Sequence, residues 1–327
     1  MSYVWSQENK DKLLKMISDG VSPSDAASKI GVTRDSVDGM MRRMKIKSMA
    51  VKKCEVIAEK SDWITREFPI VARKNPLPMD TYVCGLNNFK THLVFGDSHL
   101  ESDGDNSILE LVIRFIKANR KYDSIVLAGD FMNLACISHW NKGKPGAIEG
   151  QRLRADYTCA QNYIDHIKPH ATELVYMIGN HEDWVEQACQ ETPAYRGFID
   201  IMSNIHNVDT WIPNNGVHRI GRLRIVHGLY CNEFAAKKHL FRMHDNVMFF
   251  HTHRGQLYSD NIYGVRPIAA WNIGGTCSMN PEYAKGTEPN WQHQFAIVTE
   301  DVASGTFWVE VVWIIDKRIC YGGYVYE

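Results

Sequence analysis

Five times along this 327-residue chain, a short run of apolar, strand-forming residues stops at a cluster of glycine, aspartate, asparagine or histidine. Residues 91–95 run into Gly96-Asp97-Ser98-His99, and 124–128 into Gly129-Asp130-Phe131-Met132-Asn133. Residues 173–178 end in Gly179-Asn180-His181-Glu182, 223–226 in His227-Gly228, and 247–250 in His251-Thr252-His253. Between these runs, amphipathic patterns predict helices over 107–119, 148–168 and 232–243, and β-rich segments continue to Tyr326. Strands alternating with helices pair in parallel, and the loops at their carboxyl ends collect polar residues along one edge. The chain is therefore expected to form a layered α/β core with packed sheets and one shared polar site.

The clusters together offer two aspartates, four histidines and an amide carbonyl as metal ligands, with a fifth histidine left over. Two divalent cations a few ångströms apart need one carboxylate between them, plus neutral imidazole and oxygen ligands for each. This mixed nitrogen and oxygen set suits Mn, Fe, Zn, Co or Ni better than Ca or Mg. It contains no thiolate, so a structural zinc site is not expected.

The order D-x-H, G-D, G-N-H-[DE], H, H-x-H over about residues 91–255 is similar to the calcineurin-like metallophosphoesterase superfamily. The resemblance implies a four-layer α/β/β/α sandwich and two divalent metal ions, Mn²⁺ foremost. By position, Asp97, His99 and His253 would hold the first ion, and Asn180, His227 and His251 the second, with Asp130 between them. A metal-bridging hydroxide would attack phosphorus in line, and His181 would protonate the leaving oxygen with Asp97 orienting it. Asn133 stands where many members carry a further aspartate. The G-D-x-V-D-R-G box of serine/threonine protein phosphatases is missing, which argues against that activity.

The first 50 residues predict three short helices. Leu13, Leu14 and Ile17 form an apolar stripe; Ser22-Pro23-Ser24-Asp25 supplies a cap, a proline at the first helical position and a capping acid; Gly31 ends the second helix. Thr33 caps the third, whose inner face would be Val37, Met41 and Met44. Two short helices around a glycine turn, the second basic, match the helix-turn-helix pattern, although small helical modules also serve oligomerisation, including homodimers. Trp5-Ser6-x-Glu8 through Thr33-Arg34-x-x-Val37-x-Gly39-x-x-x-Arg43 resembles the DNA-binding module of GcrA-type transcription regulators. That resemblance implies nucleic-acid contacts from Arg34, Arg42, Arg43 and Lys45. Residues 51–85 read as a packed arm or linker, and 86–327 as the phosphoesterase body.

Charge separates these parts. Residues 1–60 carry 12 Lys/Arg against 8 Asp/Glu, a net of +4, and the remaining 267 carry 25 against 30, a net of −5. The basic end points to an anionic partner, DNA before RNA. A nuclease is the leading expectation; a small-molecule phosphodiesterase or nucleotidase with a regulatory or oligomerising N-terminal module is the alternative. Asn133 and the segment 138–158, with His139, Trp140, Arg152 and Arg154, are expected to line the cleft, Trp140 as a base-stacking ring. Residues 278–280 and 291–293 are further candidates for its rim. Eight scattered cysteines without a CxxC pair, no 18-residue apolar run and no secretory leader pattern suggest a cytoplasmic protein with reduced thiols and no membrane partner.

Overall fold

The computed structural model describes residues 5–19, 21–44, 88–262, 266–279 and 289–327. The chain divides into two compact units, residues 1–79 and 80–327. Lys45 and the segment 51–85 lie outside the described residues.

In the first unit the expected helices are α1 (Gln7–Ser18), α2 (Pro23–Ile30) and α3 (Arg34–Arg43). Ser6, Ser22 and Thr33 cap them by accepting backbone N–H bonds, and Gly31 closes α2 at φ 80°, a conformation glycine adopts without a Cβ clash. Trp5, Leu13, Ile17, Ala26, Ala27, Val37, Met40 and Met41 form their core. Leu14 is exposed, contrary to the expected stripe, because the buried line of α1 runs through Leu13 and Ile17, four residues apart. Arg34, Arg42 and Arg43 are exposed on α3. Arg34 pairs with Asp38 at 3.7 Å, and Arg42 donates to the Asp38 carbonyl.

The second unit is a mixed α/β fold. Strands β1 (Phe89–Phe95), β2 (Tyr122–Leu127), β3 (Ala171–Met177) and β4 (Thr210–Ile212) run parallel, and β10 (Gln294–Asp301) adds to β1 antiparallel. Beyond β10 the eight-stranded sheet continues through β11 (Thr306–Ile315), β12 (Arg318–Tyr321) and β13 (Tyr324–Tyr326). The second sheet has the order β5 (His218–Ile220), β6 (Leu223–Val226), β7 (Val247–Phe249), β9 (Arg266–Asn272), β8 (Gln256–Ile262).

Alternation along the strands sorts side chains into separate layers. Leu93 and Phe95 face outward with Ile125 and Leu174 onto α4 (Ser107–Ala118), α5 (Leu153–Ile167) and α6 (Asn180–Glu191). Val94, Val126 and Val175 face inward onto Ile225 and Met248 of the second sheet and onto Phe250 just after β7. The far face of that sheet is covered by α7 (Ala235–Met243) through Ala235, Ala236 and Leu240. The order is thus helix, sheet, sheet, helix, as expected.

The helix expected over 148–168 starts only at Leu153. Pro145–Ile148 is a separate 3₁₀ turn, and Gly150 at φ 81° takes the left-handed conformation that interrupts a right-handed helix. Among the described residues six cysteines are present, all free, and no helix is long and apolar enough to cross a membrane.

Candidate active site

Register brings the clusters together. Phe95 pairs with Leu127 and Leu127 with Tyr176, so the carboxyl ends of β1, β2 and β3 are level. In the second sheet Val226 pairs with Phe249 and Phe249 with Asn272. The polar segments after all five strands converge. Ligand atoms of Asp97, His99 and His253 lie within 4.8 Å of one another, as do those of His99, Asp130 and His181, and of Asp130, His227 and His251.

Asp130 is at the centre. Its Oδ2 is 3.2 Å from His227 Nε2 and 3.9 Å from the Nε2 atoms of both His99 and His181. Its Oδ1 accepts the His181 backbone N–H at 2.9 Å. His227 Nδ1 donates to the Ala128 carbonyl at 3.0 Å, which turns Nε2 toward Asp130 and toward Asn180 Oδ1, 3.1 Å away. Asp97 Oδ2 accepts the His251 backbone N–H at 2.7 Å.

Holding these side chains requires unusual backbone. Asp97, His99, Asp130, His251 and His253 all have φ between 41° and 72°, the left-handed region that side chains other than glycine seldom adopt. Two glycines make room for the ring of candidate ligands. A Cβ on Gly129 would come within 2.4 Å of His227 Nδ1, and one on Gly179 within 2.2 Å of Asp130 Oδ1.

The arrangement fits a pair of cations on three counts. Asp97 Oδ1 is buried with no hydrogen-bond partner, 3.7 Å from His253 Nε2. His99 Nε2 and His253 Nε2 face each other at 3.1 Å. Two acceptors, Asp130 Oδ2 and Asn180 Oδ1, aim at His227 Nε2. Proton affinities carry the same imprint. Burial, with the charges of Asp130 and Glu182, outweighs His227 and pushes Asp97 up to about 8. Burial opposes protonation of His227, yet the carboxylates of Asp130 and Asp97 raise it to about 10. Burial and neighbouring imidazoles lower His251 to about 4 and His253 to about 3, so both rings are neutral at physiological pH and able to serve as ligands. The buried carboxylates thus draw positive charge, while the neutral rings keep lone pairs to share.

His181 is held differently from the expectation. Its Nδ1 donates to the Asn133 backbone carbonyl at 2.7 Å, and Nε2 faces Asp130. Orientation by Asp97 is therefore corrected: the Asn133 carbonyl occupies Nδ1, while Asp97 Oδ2 is engaged by His251. Asn133 itself was expected to meet substrate, but its side-chain amide donates to Glu101 Oε1. Its contribution here is the backbone carbonyl.

The expected cleft residues separate into two groups. His139 lies with ring centroids 4.5 Å from Trp140 and 5.8 Å from Trp184, and Trp184 packs on His181 at 4.0 Å. A path of rings therefore leads from His181 to Trp140, whose side chain is 69% exposed. Trp184 was not singled out from the sequence, although its place three residues after His181 on α6 puts both on one helical face. Arg152 and Arg154 are exposed at the start of α5, Arg152 donating to the Gln151 carbonyl, and no contact joins either to the cluster among the described residues. Trp291 packs its ring on His253 at 4.1 Å, and His293 Nε2 donates to the Cys277 carbonyl. Asn280 lies outside the described residues.

Glu182 is a second residue whose importance the sequence alone does not show. It is 1% exposed, and its carboxylate accepts four hydrogen bonds, from the N–H groups of Asp130, Gly179 and Met132 and from the Tyr176 hydroxyl. It clamps the loop carrying Asp130 to the start of α6. Glu182→Gln brings an NH₂ group against at least one of these N–H donors. Leaving buried donors unpaired costs about 1–3 kcal/mol each. The variant should unfold in thermal melts several degrees below the parent; an unchanged midpoint would contradict the clamp.

A model of the calcineurin-like phosphoesterase family matches residues 91–276, the span that carries all five clusters. The Gene 54 protein of Mycobacterium phage L5 is 26% identical over 262 residues, covering 73% of this chain and 99% of that protein. The Gene 54 protein of Mycobacterium phage D29 is 25% identical over 264 residues, with the same shares. Among solved structures, the crystal structure of Pseudomonas putida nuclease MPE overlaps 67% of this chain and 87% of its own at 10% identity and a TM-score of 0.30. With the family model spanning more than half of the chain and candidate metal ligands from the strand ends of both sheets converging, the chain belongs to the calcineurin-like phosphoesterase family, hydrolases of phosphoester bonds.

Proposed function

We propose that the protein is a dinuclear-metal-dependent phosphodiesterase acting on nucleic acid, a nuclease. The observation that carries this reading is the path of rings from His181 through Trp184 and His139 to exposed Trp140. A phosphodiester at the cluster places its flanking base beside this path, and base-on-ring stacking tolerates any sequence. Asp97, His99 and His253, then Asn180, His227 and His251, with Asp130 shared, would hold two divalent ions, Mn²⁺ foremost, supplying acidified water and positive charge for the phosphoryl oxygens. The chain's own part is proton delivery. Because the Asn133 carbonyl takes the Nδ1 proton, protonated His181 presents Nε2–H to the cluster and donates it to the departing alkoxide. His181 Nε2 also lies among the ligand atoms around Asp130, so metal content is read alongside its activity.

The body's net of −5 favours a second reading, hydrolysis of small nucleotides, since a polynucleotide track is usually basic. One panel separates the two: Mn²⁺-reconstituted protein on bis-p-nitrophenyl phosphate, p-nitrophenyl phosphate, and labelled single- and double-stranded DNA. The nuclease reading expects cleavage of the diester and of DNA, and Trp140→Ala should lower kcat/KM on DNA by about tenfold while sparing the small diester. Diester turnover with DNA left intact would establish the second reading. The N-terminal helices are proposed to hold nucleic acid near the body through Arg34, Arg42, Arg43 and Lys45, raising its local concentration.

A further inference from the structure

Helix α7 carries a second surface that the site does not use. Its residues Ala235, Ala236, His239 and Leu240 are buried, leaving Lys237, Lys238, Phe241 and Arg242 exposed on one face. With Tyr230 and Phe234 from the preceding loop they line an open groove of about 680 Å³. Phe234 and Phe241 are 63% and 48% exposed, large apolar surfaces to leave in water. Lys237 Nζ lies 5.8 Å from the Phe241 ring and 5.7 Å from Tyr258, and Lys238 Nζ lies 5.7 Å from Tyr230. None of the three cations forms an ion pair among the described residues, and Glu233 is the single acid between His227 and His244. On a body that is acidic overall, this concentration of unpaired positive charge runs against the trend.

The groove is also tied to the site. Its loop begins at Gly228, directly after His227. Buried His239 accepts the Leu229 N–H on Nε2, stacks on Phe249 at 3.7 Å, and contacts Tyr230 edge-on at 5.2 Å. Phe249 ends β7, two residues before His251. The same strand ends that place His227 and His251 therefore place this face.

We propose that the exposed face of α7, with Tyr230 and Phe234, is a contact track for a single-stranded polynucleotide, an assignment that rests on the nuclease reading for its purpose. Cations spaced along a helix meet successive phosphates, and exposed rings between them require unstacked bases, which a duplex does not offer. Lys237, Lys238 and Arg242 bind the backbone; Phe234 and Phe241 stack bases.

The test uses the full chain with a 20-nucleotide single strand carrying 5-iodouracil, irradiated and mapped by mass spectrometry, beside anisotropy titrations at two salt concentrations. Adducts are expected on Tyr230, Phe234 or Phe241. Affinity should fall about tenfold or more in Lys237→Glu/Lys238→Glu, with a shallower salt dependence, and about tenfold in Phe241→Ala. Turnover of bis-p-nitrophenyl phosphate should stay within about twofold in both variants, which shows that the fold and the cluster are intact. Adducts confined to other residues, with affinity unchanged in both variants, overturn the track. Polyglutamate binding that is lost in the double variant, with oligonucleotide affinity unchanged, also overturns it and assigns the face to an acidic protein partner. If adducts form at α7 but neither diester nor DNA is hydrolysed, the nuclease reading fails and the contact surface stands.

Discussion

Asp130→Ala should leave the protein with neither ion and with diester hydrolysis at least about a thousandfold down, since each lost Lewis acid removes several kcal/mol of transition-state stabilisation. Its carboxylate is placed to affect both halves of the cluster. Its Oδ2 faces His227, His99 and His181 together, and it belongs to two of the three ligand groupings. Removing that carboxylate leaves the imidazoles without the anion around which they are arranged, so cation affinity falls at both positions. Alanine also deletes the acceptor of the His181 N–H. Asp130→Asn keeps an oxygen for that bond and the side chain's shape, and distinguishes loss of the ligand from loss of the fold. Metal content by mass spectrometry and turnover of bis-p-nitrophenyl phosphate are the readouts. A folded Asn variant that retains two ions and a tenth of the activity would refute the shared-ligand role.

His181→Ala should divide substrates by their leaving groups. General acid catalysis is worth about 10²–10⁴-fold where the departing oxygen is a poor leaving group. Cleavage of a dinucleotide, which expels an alkoxide, should fall by that factor. Hydrolysis of bis-p-nitrophenyl phosphate, which expels a stable phenolate, should fall by less than about tenfold. Both ions should remain. Equal losses on the two substrates, or loss of an ion, would make His181 a ligand instead of an acid. The proximity of its Nε2 to Asp130 makes that contrast worth measuring.

The five polar clusters were legible because each is local: a strand pattern and the residues immediately after it are contiguous in sequence. Level registry of the parallel strands then does the assembly, and a parallel sheet with packed helices has few other ways to arrange them. What stayed hidden depends on direction. Glu182 is the fourth residue of Gly179-Asn180-His181-Glu182, but only the fold shows its carboxylate turned inward onto four donors. Asn133 contributes to the site through its backbone carbonyl, an atom common to every residue and silent in sequence. The basic face of α7 carries no signal in the sequence, because lysines on an amphipathic helix ordinarily face solvent without a task. Its distinguishing features, exposed Phe241 at the same face and the ring of Tyr230 brought in from a loop, emerge only in three dimensions.

The left-handed backbone at Asp97, His99, Asp130, His251 and His253 has a consequence for any attempt to harden this protein. Such residues cost of order 1–3 kcal/mol each, and glycine relieves most of that cost. A laboratory selection for thermal endurance alone would therefore drift toward glycine at His99 and His251, accumulating robust proteins that have lost their chemistry. Useful stabilisation has to be sought elsewhere in the fold, with turnover kept as a second criterion in every round.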